Sequence, residues 1–393
     1  MMNLKRGWMA NQHHPIALSR TVAPAGSWNR FAHCPRWLAA FLLILLSLSI
    51  LYGSLGHIGA SHIRTANSSA MQANGLVGDH ALYSEIARRL HDGTPYYQAA
   101  AAVQRENHYP TRPFLTIRLP TYAYLLAVLG EKAVAGIGMM LGGLAIILWA
   151  RRLYQAPDLP RYAWLGALIM APNILLPWTT RPWVFMHESM AGTLIALALA
   201  LYQPARPWAA LIVMAAAVAI RESVLPLAIL FGLFALWDRD WRAVGGWLLL
   251  GAAFLAMVAL HIRAINAVIL PTDLSSIGWH GHGGWLGYSS FLYKVSIFRT
   301  FPGWLTAILL PLALLGWASW KSRIGLVCFL IQLFYAVIFM TIARPDNFYW
   351  ALLVTPTLFI GLVLAPEALL ALLQSLRHGR NRDHIDPSAP QIA

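Results

Sequence analysis

Asp79 heads the segment 78–93, where its carboxylate suits a helix N-cap. Tyr83, Ile86, Ala87 and Leu90 follow at i, i+3, i+4 and i+7 spacing, so the segment reads as an amphipathic helix lying along a membrane surface and stopped at Gly93. Capping by that aspartate would be worth about 0.5–2 kcal/mol. Glu188 follows His187 at the end of a long apolar run, where an acidic group is expensive and faces either a polar cavity or a partner such as Arg181 or His187. Arg221 and Glu222 sit between two short apolar runs, and Arg344 stands two residues before Asp346; each pair could neutralise itself or meet a ligand. The guanidinium groups of Arg181, Arg221 and Arg344 match a phosphate or pyrophosphate better than an ammonium would. Any one of them also suits a lipid-headgroup anchor.

Two further stretches could touch a ligand. His280 and His282 flank Gly281 in the loop 262–302, which also carries Trp279, Trp285, Tyr288 and Tyr293. Asp273 is the only acidic residue in that loop, which leaves a metal without a third ligand; no metal site and no cofactor are assigned, and a divalent metal has no residue-level support. The aromatics fit either interfacial packing or a lid over a sugar or prenyl chain, and His108 and Tyr109 could contribute in the same way.

The elements that must position these residues are apolar helices. Of the 393 residues 58% are hydrophobic and only 11% charged, against about 25% charged in a soluble domain. Apolar runs of the length needed to cross about 30 Å of hydrocarbon recur between residues 37 and 370. The expected fold is all-α integral membrane with about ten transmembrane helices, near 37–55, 133–150, 162–178, 184–201, 207–220, 223–237, 243–261, 303–319, 324–342 and 349–370. Between the first two lies a long outer loop, 56–132, whose piece 119–130 is too short to cross and reads as interfacial or re-entrant. Residues 1–36 read as a basic, mostly disordered cytoplasmic tail, 37–370 as the membrane domain and 371–393 as a polar cytoplasmic tail.

With both termini inside, 16 Lys and Arg residues fall on the cytoplasmic side and 6 in the short outer loops, which supports that orientation. Asp79, Glu188 and the three arginines then face outward. Trp37, Trp149, Trp164, Trp237, Trp304, Trp320 and Trp350 lie near run ends, as an interfacial belt would place them. The net charge of +14 comes mainly from short clusters at run ends, a topology pattern that argues against a nucleic-acid partner.

Asp79, Tyr83, Ala87, Gly93, Pro95 and Tyr96 together resemble the first outer loop of the GT-C superfamily of polytopic membrane glycosyltransferases, of the bacterial mannosyltransferase and aminoarabinose-transferase kind. The Pro-led 119–130, the Arg-ended run through Arg151 and Arg152, His187-Glu188, Arg221-Glu222 and Arg344-Pro345 resemble the family's later pattern. The chain departs from better-known members in having a single Asp79 and no Trp-Trp-Asp motif. The resemblance implies an enzyme of the inner membrane that moves a sugar from a polyprenyl-phosphate donor to a lipid, glycan or protein acceptor on the outer face, with inversion. Asp79 would be the base and Glu188 a second catalytic carboxylate. Arg221, Arg344 and Arg181 would hold the donor phosphate, and His108, Tyr109, Glu222, His280 and His282 would contact substrate. The alternative is a transporter or flippase of an anionic lipid-linked substrate, which would use the same arginines without bond chemistry.

Overall fold

The structure, a computed structural model, describes residues 28–61 and 78–382. Their backbone is helical, with two isolated bridges and no strand among the described residues. That is what apolar runs require in hydrocarbon, where backbone N–H and C=O groups must pair within their own segment.

The long α1 (Arg36–Ser61) precedes three short helices, α2 (Asp79–His91), α3 (Tyr96–Glu106) and α4 (Pro120–Leu129). Then follow α5 (Glu131–Gln155), α6 (Leu165–Thr179), the single turn α7 (Arg181–Val184), α8 (His187–Leu201), α9 (Trp208–Ile220), α10 (Leu225–Trp237) and α11 (Trp241–Asn266). The chain continues through α12 (Gly284–Val295), α13 (Gly303–Ser319) and α14 (Arg323–Thr341). It closes with the 3-10 stretch Pro345–Leu353, the short α15 (Thr355–Leu358), a second 3-10 stretch Phe359–Val363, and α16 (Ala365–Arg382). Four helices are long and apolar enough to cross a membrane: α1 over Arg36–His57, α5, α11 and α14. The pair Pro345–Leu353 and Thr355–Val363, bent by 57°, makes a fifth if it is one span. The chain is thus helical with several membrane-length segments, while α8, α9, α13 and the stretch Glu222–Trp237 are apolar but shorter.

Four expectations change in detail. The run 349–370 is broken into short turns instead of forming one helix. Pro356 lacks the N–H that a continuing ladder needs, and the stretch runs at backbone contact with two helices. A Cβ on Gly192 of α8 would lie 2.1 Å from Leu352 O, and one on Gly316 of α13 would lie 1.8 Å from Gly361 O. Residues 351–361 are all buried, and irregular backbone at membrane depth is tolerated only inside protein.

Second, the tail reading does not hold for residues 28–35. Trp28 and Phe31 are buried, the Arg30 guanidinium donates to Ala318 O at 2.9 Å, and Asn29 Nδ2 donates to Glu367 O at 3.0 Å. Residues 1–27 lie outside the described residues. Third, Trp149 and Trp320 belong to the core rather than an interfacial belt: Trp149 Nε1 donates to Ala196 O at 2.9 Å and Trp320 Nε1 to Asp158 Oδ2 at 3.0 Å. Trp37 and Trp237, by contrast, are well exposed. Fourth, α16 stays helical as far as Arg382, into the segment read as a polar tail.

The ion pairs divide between two ends of the bundle. One end holds Arg105–Asp273, Arg118–Glu222, Arg181–Glu131 and Arg221–Glu188; the other holds Arg323–Asp238 and the contacts of Arg30. Each of these contacts joins segments that the sequence reading assigns to one side.

Candidate functional site

The apolar face of α2 is buried through Leu82, Tyr83, Ile86 and Ala87, and it packs on α3 and α4 rather than lying free along a surface. Gly78 is the N-cap and Asp79 is the first helical residue, with no side-chain capping bond. The capping reading of Asp79 is therefore not what the fold uses. Asp79 Oδ1 instead accepts the Tyr109 hydroxyl at 3.0 Å. Tyr109 comes within reach because His108 has a left-handed φ of 56°, which turns the chain back after α3. Burial, then the Asp79 charge and its hydrogen bond, raise the Tyr109 phenol above its ordinary pKa, so it acts as a donor to the carboxylate.

Behind Tyr83 runs a chain of alternating charge. Arg118 Nε donates to the Tyr83 hydroxyl at 3.0 Å, its Nη2 reaches the Tyr349 hydroxyl at 3.4 Å, and its Nη1 lies 3.7 Å from Glu222. Glu222 also accepts from Arg221, whose Nε donates to Glu188 Oε1 at 2.6 Å. The Arg221 and Glu188 side chains are 2% and 1% exposed, so each compensates a charge that could not stay buried alone. Arg221 follows the end of α9 in extended conformation (φ −142°, ψ 114°) and Glu222 begins a 3-10 turn into α10. That break aims both side chains inward. Burial pushes the Tyr83 phenol up to about 12, with the Asp79 and Glu188 carboxylates acting the same way and Arg118 opposing them. The Asp79 and Glu188 carboxylates thus both act on one hydroxyl.

Beside this chain, His187 is buried between the rings of Tyr83 and Tyr122, at 4.8 and 5.1 Å between centroids. Neither His187 ring nitrogen nor Glu188 Oε2 has a protein partner among the described residues.

The other candidates stand further out. Arg344 pairs with Asp346 at 2.9 Å and donates to Gly278 O at 3.2 Å, which ties it to the loop before α12. Gly281 in that loop donates to Ile342 O, and a Cβ there would lie 1.7 Å from Ala343 O, so only glycine permits this approach. His280 and His282 are exposed beside it, and His108 is exposed too. Arg181 pairs with Glu131 at 2.8 Å and is 72% exposed, and it is not a member of the carboxylate–guanidinium chain. No group of three metal-ligating side chains occurs among the described residues. No family model, curated protein or solved structure matches the chain.

Arg118 and Tyr349 are members that reading the sequence for function did not find, and Tyr83 entered there only through its helix spacing and the resemblance. Arg118 sits in a polar loop among several arginines, and Tyr83 is hidden in the apolar pattern of α2. The available signal is its place two residues before the Pro-led α4, directly between Ile117 and Leu119.

The segments around 105–111 and 270–273 are clasped by Asp273, whose carboxylate is 3% exposed and accepts from Arg105 Nε at 2.6 Å, Thr111 Oγ1 at 3.0 Å and Leu270 N at 2.9 Å. The Arg105 hydrogen bond, above all, holds its carboxyl well below the usual carboxylate range, against burial that would raise it. A depressed folded pKa stabilises above the unfolded value, near 3.9, and the contribution fades as pH falls through the folded value. Asp273→Asn keeps an acceptor but loses the charge-assisted pair, at about 1–2 kcal/mol given the half-exposed arginine. Melting curves from pH 7 down to pH 2 should show a lower plateau and a shallower acid loss in the variant. Curves that superimpose would remove the clasp.

Proposed function

We propose that the protein is a GT-C-like membrane glycosyltransferase that moves a sugar from a polyprenyl-phosphate donor to a hydroxyl acceptor. The observation that carries this reading is the placement of Asp79, held by Tyr109, beside the buried Arg118–Glu222–Arg221–Glu188 chain. Asp79 is half-buried; it takes the proton of the acceptor hydroxyl as that oxygen attacks the anomeric carbon, and the bond to the lipid phosphate breaks with inversion. Guanidinium groups then stabilise the departing phosphate. Arg221 is already shared between two carboxylates, so it positions its neighbours. Arg344, at the rim, and Arg118, whose Nη contacts are long, are better placed to bind an anion.

The full arrangement in this proposal has ten crossings, with α1, α5, α6, α8, α9, α10, α11, α13, α14 and the broken 345–363 segment as the spans. Both termini lie in the cytoplasm of the inner membrane and the Asp79 end faces outward, as the charge asymmetry favours. An outward site has no supply of cytosolic nucleotide sugars, so the donor is lipid-linked.

The test uses membranes, a labelled polyprenyl-phosphate sugar and a panel of acceptors. Arg344→Lys and Arg118→Lys should each weaken donor binding about tenfold, because an ammonium cannot form the two-pronged contact. Normal affinity in both variants would sink the phosphate pocket. Label that crosses the bilayer still attached to its lipid, with no transfer to any acceptor, would favour the flippase.

A further inference from the structure

Independently of that reading, we propose that the opposite end of the bundle carries a binding site for the head group of a zwitterionic phospholipid with a primary ammonium. A cavity of about 440 Å³ opens where α5 and α8 end, lined by Arg151, Arg152, Gln155, Asp158, Gln203 and Trp320 among others. That size lies within the range of about 300–1,000 Å³ typical of small-ligand pockets. The site is about 30 Å along α5 from Glu131, at about 1.5 Å per residue, which puts it at the far membrane face from Asp79.

The charges in the cavity select the ligand. Arg152 is engaged: its Nη1 donates to Leu199 O at 2.6 Å and Ala200 O at 3.1 Å and its Nη2 to Tyr202 O, so it neutralises the carbonyl end of α8. Arg151 is exposed, and its hydrogen bond among the described residues is a long one, Nε to Gln155 Oε1 at 3.3 Å. Asp158 Oδ2 accepts from Trp320 Nε1 at 3.0 Å, and its second oxygen has no hydrogen bond among the described residues, in a side chain that lines the cavity. One cationic and one anionic group therefore remain to meet a ligand. A simple anion would encounter Asp158 and a simple cation Arg151. A phosphate joined to an ammonium satisfies both, and three N–H donors suit Asp158 better than a methylated ammonium.

A path for the acyl chains leads away from the same place. Leu148 lines the cavity, and Leu144 and Met140 follow at four-residue spacing down α5, 44% and 68% exposed. They form one apolar stripe below the head-group site.

The experiment reconstitutes the protein in nanodiscs of equal phosphatidylethanolamine, phosphatidylglycerol and phosphatidylcholine, extracts it into mild detergent and counts retained lipids by native mass spectrometry. The wild type should retain phosphatidylethanolamine about tenfold over the other two, a charge-assisted contact's worth. Asp158→Asn still accepts from Trp320 but loses the ammonium contact, so that preference should vanish. Arg151→Gln should lower retention of all three lipids, with Arg151→Lys retaining more. Equal retention by the wild type, a preference for phosphatidylglycerol, or a preference that survives Asp158→Asn would each overturn the site.

Discussion

Asp79→Asn is expected to leave the protein folded while sugar transfer falls by about 10²–10⁴-fold, the range that general-base catalysis contributes. Asp79 is the first residue of α2, makes no capping bond, and accepts from Tyr109 through one oxygen that an asparagine carbonyl can replace. What asparagine loses is a negative charge at a helix N-terminus, about 0.3–1 kcal/mol, and the ability to accept a proton. Stability and activity are thereby separated by geometry. Glu188→Gln is the comparison: Glu188 is spent on Arg221 and is 1% exposed, so it should affect transfer less per unit of stability lost. Rates with a labelled lipid-linked donor, taken beside melting temperatures of the same preparations, decide the matter. Full activity in Asp79→Asn would leave Asp79 as an ordinary polar contact of Tyr109 and remove the main residue-level reason for the enzyme.

The parts of this fold that the sequence reveals are those governed by local periodicity. The runs 133–150, 243–261 and 324–342 are continuous and apolar, and they became α5, α11 and α14 with ends shifted by one to five residues. The run 349–370 is equally apolar but lies within the bundle, so its breaks depend on where Gly192 and Gly316 cross it, which is a property of packing. Tryptophans divide in the same way. A Trp near a run end can face lipid, like Trp237, or turn inward to a carbonyl, like Trp149, and hydropathy does not distinguish the two. At the site, Asp79 and Tyr109 stand apart in the sequence, as do Glu188 and the Arg221-Glu222 pair. Their meeting required the turn at His108 and the break between α9 and α10. Arg118 carries only its place before Pro120 as a local mark, since its role comes from the residues that surround it.

Removing Arg221 should give the largest loss of stability in the molecule. Its guanidinium is 2% exposed, donates to Glu188 and to Glu222, and lies 5.9 Å from the centre of the Trp350 ring. Arg221→Met fills similar space but leaves Glu188 without its hydrogen-bonded cation, and breaking a buried pair from one side costs about 3–5 kcal/mol. Tyr122 and Tyr335 do not replace the lost donor, because their hydroxyls are committed to Val184 O and Ser223 O. Glu188→Gln alone should cost less, because Arg221 keeps Glu222 and the amide can still accept. The informative variant is Glu188→Gln with Arg221→Met, in which no uncompensated carboxylate remains at position 188. Coupling between the two should return about 1–3 kcal/mol relative to the sum of the single losses. Unfolding titrations in mixed micelles on all four proteins measure this term. Losses that simply add would mean the pair is adjacent without being energetically coupled, and the alternating chain from Glu188 to Arg118 would lose its role in holding α8, α9 and the loop before α4 in register around Asp79.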